Sequence, residues 1–460
     1  GNSAFFMCIT LTSVVIPDSI VSIGDAAFGS SWSISSVDIS NSVVSIGSDA
    51  FSNTGIKAIT IPDSVVSIGD EAFRGCSQLT SVEIGSGTTS IGDKVFRECS
   101  NLTAINVAES NTAYVSVDGV LFNKDKTNLI KYPSNKTDTE YVIPNSVNTI
   151  ETYAFQGSEN ITCVTISDSV VSIDDYAFLY CTNLTSIVIP DTVTSLGERA
   201  FGECVKLVTI DVNENNDYYS SDDGVLFNKD KTVLIQYPSS KTTSNYICPD
   251  SVTTIADFAF QGSANLASVV ISENVTSIGL HAFHECTSLT SVEAIGNLTS
   301  IGSYAFFGCT SLESVTVPDC LKSVCERAFD GCANLTVFTI PGNVTSVGSG
   351  AFANCTNLVS IVLPVSLTYI ESYVFEHCVN LSYVFYGGSE ADWSAVTIDD
   401  VGNDLLAYAV VHYSTTGHML NEGTVATQPT CTVEGILTKS CTTEGCTYTE
   451  SSAIDVLGHD

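Results

Sequence analysis

Apolar and polar positions recur along the chain with a period far longer than that of a helix or a strand. From Leu184 the apolar residues fall at Leu184, Ile187, Ile189, Val193, Leu196, Ala200, Phe201 and Cys204, and Leu207 begins the same order again. The alternation up to Ile189 predicts a short strand, with Leu184, Ile187 and Ile189 on one side and Ser186 and Val188 on the other. Pro190 has no amide hydrogen for a ladder, so it ends the strand. Ala200 and Phe201 are expected in a short helical or turn-like segment, and the recurring Ser-Ile-Gly is expected to place its glycine in a turn.

The Phe of this unit stands at 5, 28, 51, 73, 96, 155, 178, 201, 260, 283, 306, 329, 352 and 375, in steps of 23 residues with one step of 22 and two of 59. Each long step is one repeat plus 36 residues, and Phe96, Phe155 and Phe178 recur 105 residues later as Phe201, Phe260 and Phe283, the mark of a duplicated block. A unit this small cannot bury its apolar side alone, so the coils must stack and share one long core. The expected fold is a repeat solenoid of short parallel strands about 4.8 Å apart. The two insertions, near 108–140 and 213–245, each hold two strand-like runs, such as Val120 to Phe122 and Asn128 to Tyr132. The polar turn Asn123 to Lys126 predicts a β-hairpin, expected to project from one edge of the solenoid. Asp118, Asp125, Asp223 and Asp230 lack the dense spacing of a calcium loop and read as turn residues.

The unit L-T-S-V-x-I-P-x-S-V-x-S-I-G-x-x-A-F-x-x-C-x-x resembles the leucine-rich repeats of the BspA-like class over about residues 4–386. The resemblance implies a bacterial or protist surface protein. Its fold would be an α/β-type leucine-rich repeat solenoid, an arc-shaped right-handed coil with a turn or short-helix convex side. Ser31, Thr54, Ser158 and Ser263 depart from the pattern at the Cys position, where their small side chains fit the same slot. The solenoid is expected over 1–386, with an aromatic capping segment around Trp393 over 387–416. The remainder, 417–460, resembles small Cys-containing modules that follow such repeats in surface proteins of gut Firmicutes. Cys431, Cys441 and Cys446 with His418 or His459 leave three readings open: a tetrahedral zinc set, a disulfide or plain thiols.

Composition narrows the partners. The formal charge is −35 with only 16 Lys and Arg, which argues against nucleic acid and anionic membranes, and fits solubility or attraction to basic partners and divalent cations. No run of about eighteen apolar residues is present to span a membrane. The chain opens inside a repeat, so it reads as a piece of a longer exported protein, extracellular or at the cell surface. Of its 17 cysteines, ten occupy the Phe+3 slot. Stacked coils would bring them near one another with parallel rather than converging Cβ vectors, so they read as reduced core thiols.

Catalytic constellations are not evident. His281 and His284, three apart and followed by Glu285, lack the H-E-x-x-H spacing of a metal helix and read as surface residues flanking Phe283. No cofactor is expected. The strand positions turned away from the core should line the concave side, with Asp38, Glu83, Asp211 and Glu293 as charged candidates for binding. Tyr383 and Phe385 are the aromatic anchors, unless they serve cap packing. The resemblance implies a non-enzymatic, monomeric protein that adheres to a host or microbial surface or extracellular-matrix protein. The alternative is a rigid spacer presenting a catalytic or carbohydrate-binding module encoded elsewhere.

Overall fold

A computed structural model describes residues 1–294 and 296–413, together with the strands Thr424–Thr427, Gly435–Ser440 and Thr449–Ile454. The chain forms two compact units, Gly1–Thr242 and Thr243–Asp460. Both are β-solenoids built on parallel strands.

In the first unit each coil contributes one strand of up to four residues and one of two. Ser13–Ile16 pairs with Ser36–Ile39, Ala58–Ile61 with Ser81–Ile84 and then Ala104–Val107, all parallel and in register. The two-residue strands Ser22–Ile23, Ser45–Ile46, Ser67–Ile68 and Ser90–Ile91 form a second parallel sheet. Between the sheets lies the core, where Ile59, Ile61, Val65, Ile68, Ala72 and Phe73 are all buried. The alternation expected from the sequence holds: Leu184, Ile187 and Ile189 are buried, whereas Val188 is 56% exposed.

The repeating rings stack. Phe5, Phe28, Phe51, Phe73 and Phe96 lie 5.2 to 6.0 Å apart, centroid to centroid, and within 10° of parallel. Phe260, Phe283, Phe306, Phe329, Phe352 and Phe375 repeat this in the second unit at 4.6 to 6.1 Å. Offset stacking at this spacing adds to the burial of each ring.

The segment around each Phe is a turn, not a short helix. Two residues per coil, at Phe−2 and Phe+2, take left-handed backbone angles, for example Asp49 (φ 54°) and Asn53 (φ 53°), or Tyr373 (φ 62°) and His377 (φ 59°). A left-handed residue on either side of the Phe breaks any α-helical run. The freed amides bond to the next coil instead: Phe28 N donates to Ala50 O and Phe51 N to Ala72 O, both at 2.8 Å. Among the described residues the helices are one turn of α-helix, Glu390–Trp393, and a 3-10 segment, Asp404–Ala407. The glycine after Ser-Ile does not serve a left-handed turn either. At Gly47 a Cβ would fall 2.6 Å from Asp25 N, so it is close approach of neighbouring coils that favours glycine there.

The two inserted segments are part of the core rather than projections from it. Tyr114–Val117, Val120–Asn123 and Asn128–Lys131 form an antiparallel meander, and the last strand pairs in parallel with Thr149–Ile150 of the next coil. Val120, Leu121, Phe122 and Leu129 are fully buried. Tyr132 takes the Phe position: its ring stacks on Phe155 at 5.0 Å, and its amide donates to Ala154 O. Each long step is therefore a coil of 36 residues followed by one of 23. Tyr219–Asp222, Val225–Asn228 and Val233–Gln236 repeat the meander, with Tyr237 buried in the corresponding slot.

In the second unit Val337–Thr339, Ser360–Leu363, Tyr383–Tyr386 and Val410–Tyr413 pair in parallel. Ser389 caps the short helix through a reciprocal pair of hydrogen bonds with Asp392. The three strands beyond residue 423 form a separate antiparallel sheet.

Candidate functional site

The outward face of the long strands is a set of in-register ladders. Parallel pairing one coil apart places Val15 beside Asp38, Thr60 beside Glu83, Glu83 beside Asn106, and Val188 beside Asp211. Asp38, Glu83, Asp211 and Glu293 are all exposed on this face. Asp38 and Glu83 are brought together around Thr60 in a depression of about 570 Å³ that Asp63 also borders. Glu83 accepts a hydrogen bond from Asn106 at 2.7 Å, which fixes its carboxylate. Hydrogen bonds from Ser86 hold the Asp63 carboxyl below its ordinary range. Asp211 lies in the same unit on a different strand set, and Glu293 lies in the other unit.

The aromatic candidates are arranged for packing. Phe385 is only 6% exposed, stacked 4.9 Å from His412 on the adjoining strand, and Tyr383 is half-buried beside both rings. Phe385 therefore presents no open ring face to a partner. Cys431, Cys441, Cys446, His418 and His459 lie outside the described residues.

A narrower cleft of about 450 Å³ opens beside the first 36-residue coil, lined by Lys94, Arg97, Lys131, Glu151, Tyr153 and Asp174 among others. The Arg97 guanidinium sits 4.6 Å from the Tyr153 ring centroid, and the opposite face of that ring stacks on Tyr176 at 5.0 Å. Lys131 is buried, with Nζ donating to Tyr153 O at 2.9 Å. Burial pulls its amine down to about 8, against which the neighbouring Cys99 and Cys181 act weakly. Sequence reasoning passed over Lys131 because a lysine in a strand reads as solvated. At the corresponding place in the second long coil, Gln236 donates to Phe201 O of the preceding coil at 3.0 Å, an uncharged donor turned to the opposite neighbour.

The thiol ladder has a defined role. Cys76, Cys99, Cys181, Cys204, Cys309 and Cys355 each donate from Sγ to the Phe carbonyl of the preceding coil at 3.1 to 3.2 Å. Ser31 does the same to Phe5 O at 2.9 Å and accepts from Cys8 N. Burial pushes Cys181 and Cys378 up to about 12, so these thiols stay protonated donors. Among the described residues no cluster of three or more His, Cys, Asp or Glu is placed to hold a metal ion.

Stacked rings, parallel ladders and an open sheet face define a leucine-rich solenoid. The chain belongs to the BspA type: the family model of the BspA type leucine rich repeat region matches residues 1–124, 134–248 and 281–391 in six copies. The chain is similar to a leucine rich cell surface protein of Faecalibacterium prausnitzii, at 27% identity over 87% of this chain and 92% of that one, with a TM-score of 0.53. A leucine-rich repeat protein of Eubacterium ventriosum is 25% identical over 75% of this chain and 82% of its own, with a TM-score of 0.42. A search of curated proteins finds no match. No described helix is long and apolar enough to cross a membrane.

Proposed function

We propose that the chain is a non-catalytic protein of the bacterial cell surface that binds a protein partner bearing basic side chains through the outward face of its long strands. The depression around Thr60 carries this reading, because two exposed carboxylates, Asp38 and Glu83, line it, the second held by Asn106. The Faecalibacterium relative, described as a cell surface protein, supports the location. The partner class is a host or microbial surface or extracellular-matrix protein. Charge complementarity speeds encounter and fixes register more than it adds affinity, so association should be fast and salt-sensitive.

The test is retention of matrix and microbial surface proteins on the immobilised chain, compared with Asp38→Lys and Glu83→Lys. The expected result is an on-rate lower by about tenfold or more in the double variant. Equal on-rates in variant and wild type would defeat the reading. Deleting residues 111–135 is no substitute, since it removes Leu121, Phe122 and Tyr132 from the core. A second reading, a rigid spacer for a module encoded elsewhere, is supported by the scarcity of Trp, Tyr and Arg on this face, the residues that dominate interface energy.

A further inference from the structure

In a regular coil the amides at Phe−2 and at Phe itself bond to the next coil. Glu71 N donates to Asp93 O at 2.9 Å, and Phe73 N donates to Val95 O at 3.1 Å. After Phe96 the next coil is the 36-residue one, which passes this place as the strand Asn128–Lys131 rather than as a turn. Lys94 N and Phe96 N therefore have no hydrogen-bond partner among the described residues. Lys94 is left-handed at φ 57°, and successive amides around such a residue form a concavity suited to an anion.

These two amides belong to the run Ile91 to Arg97 that walls the cleft of about 450 Å³. Three of the chain's 16 basic residues, Lys94, Arg97 and Lys131, line the same cleft, in a chain of net charge −35. Lys131 is 4% exposed, and no carboxylate pairs with it among the described residues. A buried ammonium without a counter-ion is costly, and an anion in the cleft relieves that cost. Arg97 pairs with Glu98 at 3.0 Å, whereas Lys94 reaches only toward the Tyr153 ring, at 5.9 Å.

The opposite charges of the cleft are sorted by position. Glu151 and Asp174 both stand at Phe−4 of their coils, whereas Lys94 and Arg97 stand at Phe−2 and Phe+1 of theirs. Asn128 Nδ2 donates to Glu151 at 2.6 Å and Ser172 Oγ to Asp174 at 2.5 Å, so each carboxylate is held with lone pairs to spare. Asp93, the third carboxylate, is exposed. The duplicated block supplies an internal control. Arg97, Lys131, Glu151 and Asp174 correspond, 105 residues on, to Gly202, Gln236, Ala256 and Gly279. A long coil thus forms without these charges, and folding does not account for them in the first copy.

We propose that this cleft binds a small carboxylate that also carries hydroxyl or ammonium donors, the chemistry shared by acidic sugars and amino acids. The ligand carboxylate accepts from Lys94 N, Phe96 N and the basic side chains, and its donors bond to Glu151 and Asp174. The site is separate from the strand face around Thr60 and does not depend on it.

The test is calorimetric titration of the full chain with glucuronate, L-alanine and acetate, with hydrogen exchange followed over residues 92–98. Glucuronate or alanine should bind and slow exchange at Lys94 and Phe96, and the tighter of the two identifies the source. Lys94→Ala and Arg97→Gln should each weaken that ligand by about tenfold. Glu151→Gln combined with Asp174→Asn should reduce its affinity to that of acetate. No binding of glucuronate or alanine at up to about 10 mM overturns the proposal. So does acetate binding as tightly as either, or exchange at 92–98 that the ligand leaves unchanged. Lys94 is exposed, so its variant keeps the fold. Should Arg97→Gln fold poorly, Arg97→Gly, which matches the second copy, provides the same comparison.

Discussion

Replacing Asn111 by Ala should unfasten the first long coil. The side chain is buried to 1% exposure, and its four polar valences are all used. Nδ2 donates to Gly85 O and Thr88 O at 2.9 Å each, and Oδ1 accepts from Ala113 N and Tyr114 N at 2.9 and 2.8 Å. Truncation leaves two amides and two carbonyls without this partner, the Thr88 bond fully buried and the other three partly so. A net loss of about 1 kcal/mol per hydrogen bond, with orphaned amides costing more than carbonyls that keep a second lone pair, gives roughly 3–5 kcal/mol. A solenoid coil contacts only its neighbours, so the damage should be local. Hydrogen exchange followed peptide by peptide should show fast exchange over residues 104–131, with the strands Ser186–Ile189 and Thr209–Val212 unchanged. Urea unfolding should show a new early transition. A loss under about 1 kcal/mol, or faster exchange spread evenly over the unit, would refute the reasoning. Asn216, with its own four bonds to Pro190 O, Val193 O, Tyr218 N and Tyr219 N, provides a second instance in the other long coil.

Two further outcomes follow from the turn and from the buried amine. Lys131 titrates near 8 in the folded chain against an ordinary 10.5, so between those values the unfolded chain binds more protons and stability rises with pH; Lys131→Gln should abolish a rise of about 3 kcal/mol across that window, measured as the difference in urea stability between the two proteins. Ser30 is left-handed at φ 57° in the slot that Gly75, Gly157 and Gly308 fill elsewhere, so Ser30→Gly should stabilise by about 0.5–1 kcal/mol in thermal unfolding, and an unchanged or lower midpoint would count against the strain.

What could be read from residues alone was whatever a side chain's identity reports. The Phe column, the buried Leu-Ile-Ile set and the Cys slot recur as the same letters, because each sits in the same packed environment in every coil. Left-handed geometry left no such trace. Asp49, Arg199, Tyr304 and His377 all adopt it, and only the scattered glycines signal the slot. Tyr132 and Tyr237 escaped notice because the stack needs a ring there, not a Phe. The Asp118-Gly119 and Asp223-Gly224 pairs, positive in φ at both residues, were a legible hairpin signal for the strand preceding Val120 and its counterpart before Val225. His281 and His284 share a hydrogen bond between their Nδ1 atoms at 3.1 Å, and that meeting depends on the turn itself, so spacing alone could not distinguish it from a pair of surface residues. Burial of Phe385 likewise depends on Val410–Tyr413, a strand far along the chain whose register no local pattern fixes.

From Cys76 onward each thiol of the ladder donates one winding back, and the rings lean on those one winding away. Unequal crossing-over that adds or removes a whole regular winding therefore hands each rung a partner of the same kind as the one it lost. Asn111 and Asn216, 105 residues apart with matching bonds, preserve the imprint of such an event. A solenoid of this kind can thus change length by entire turns with its column of rings unbroken.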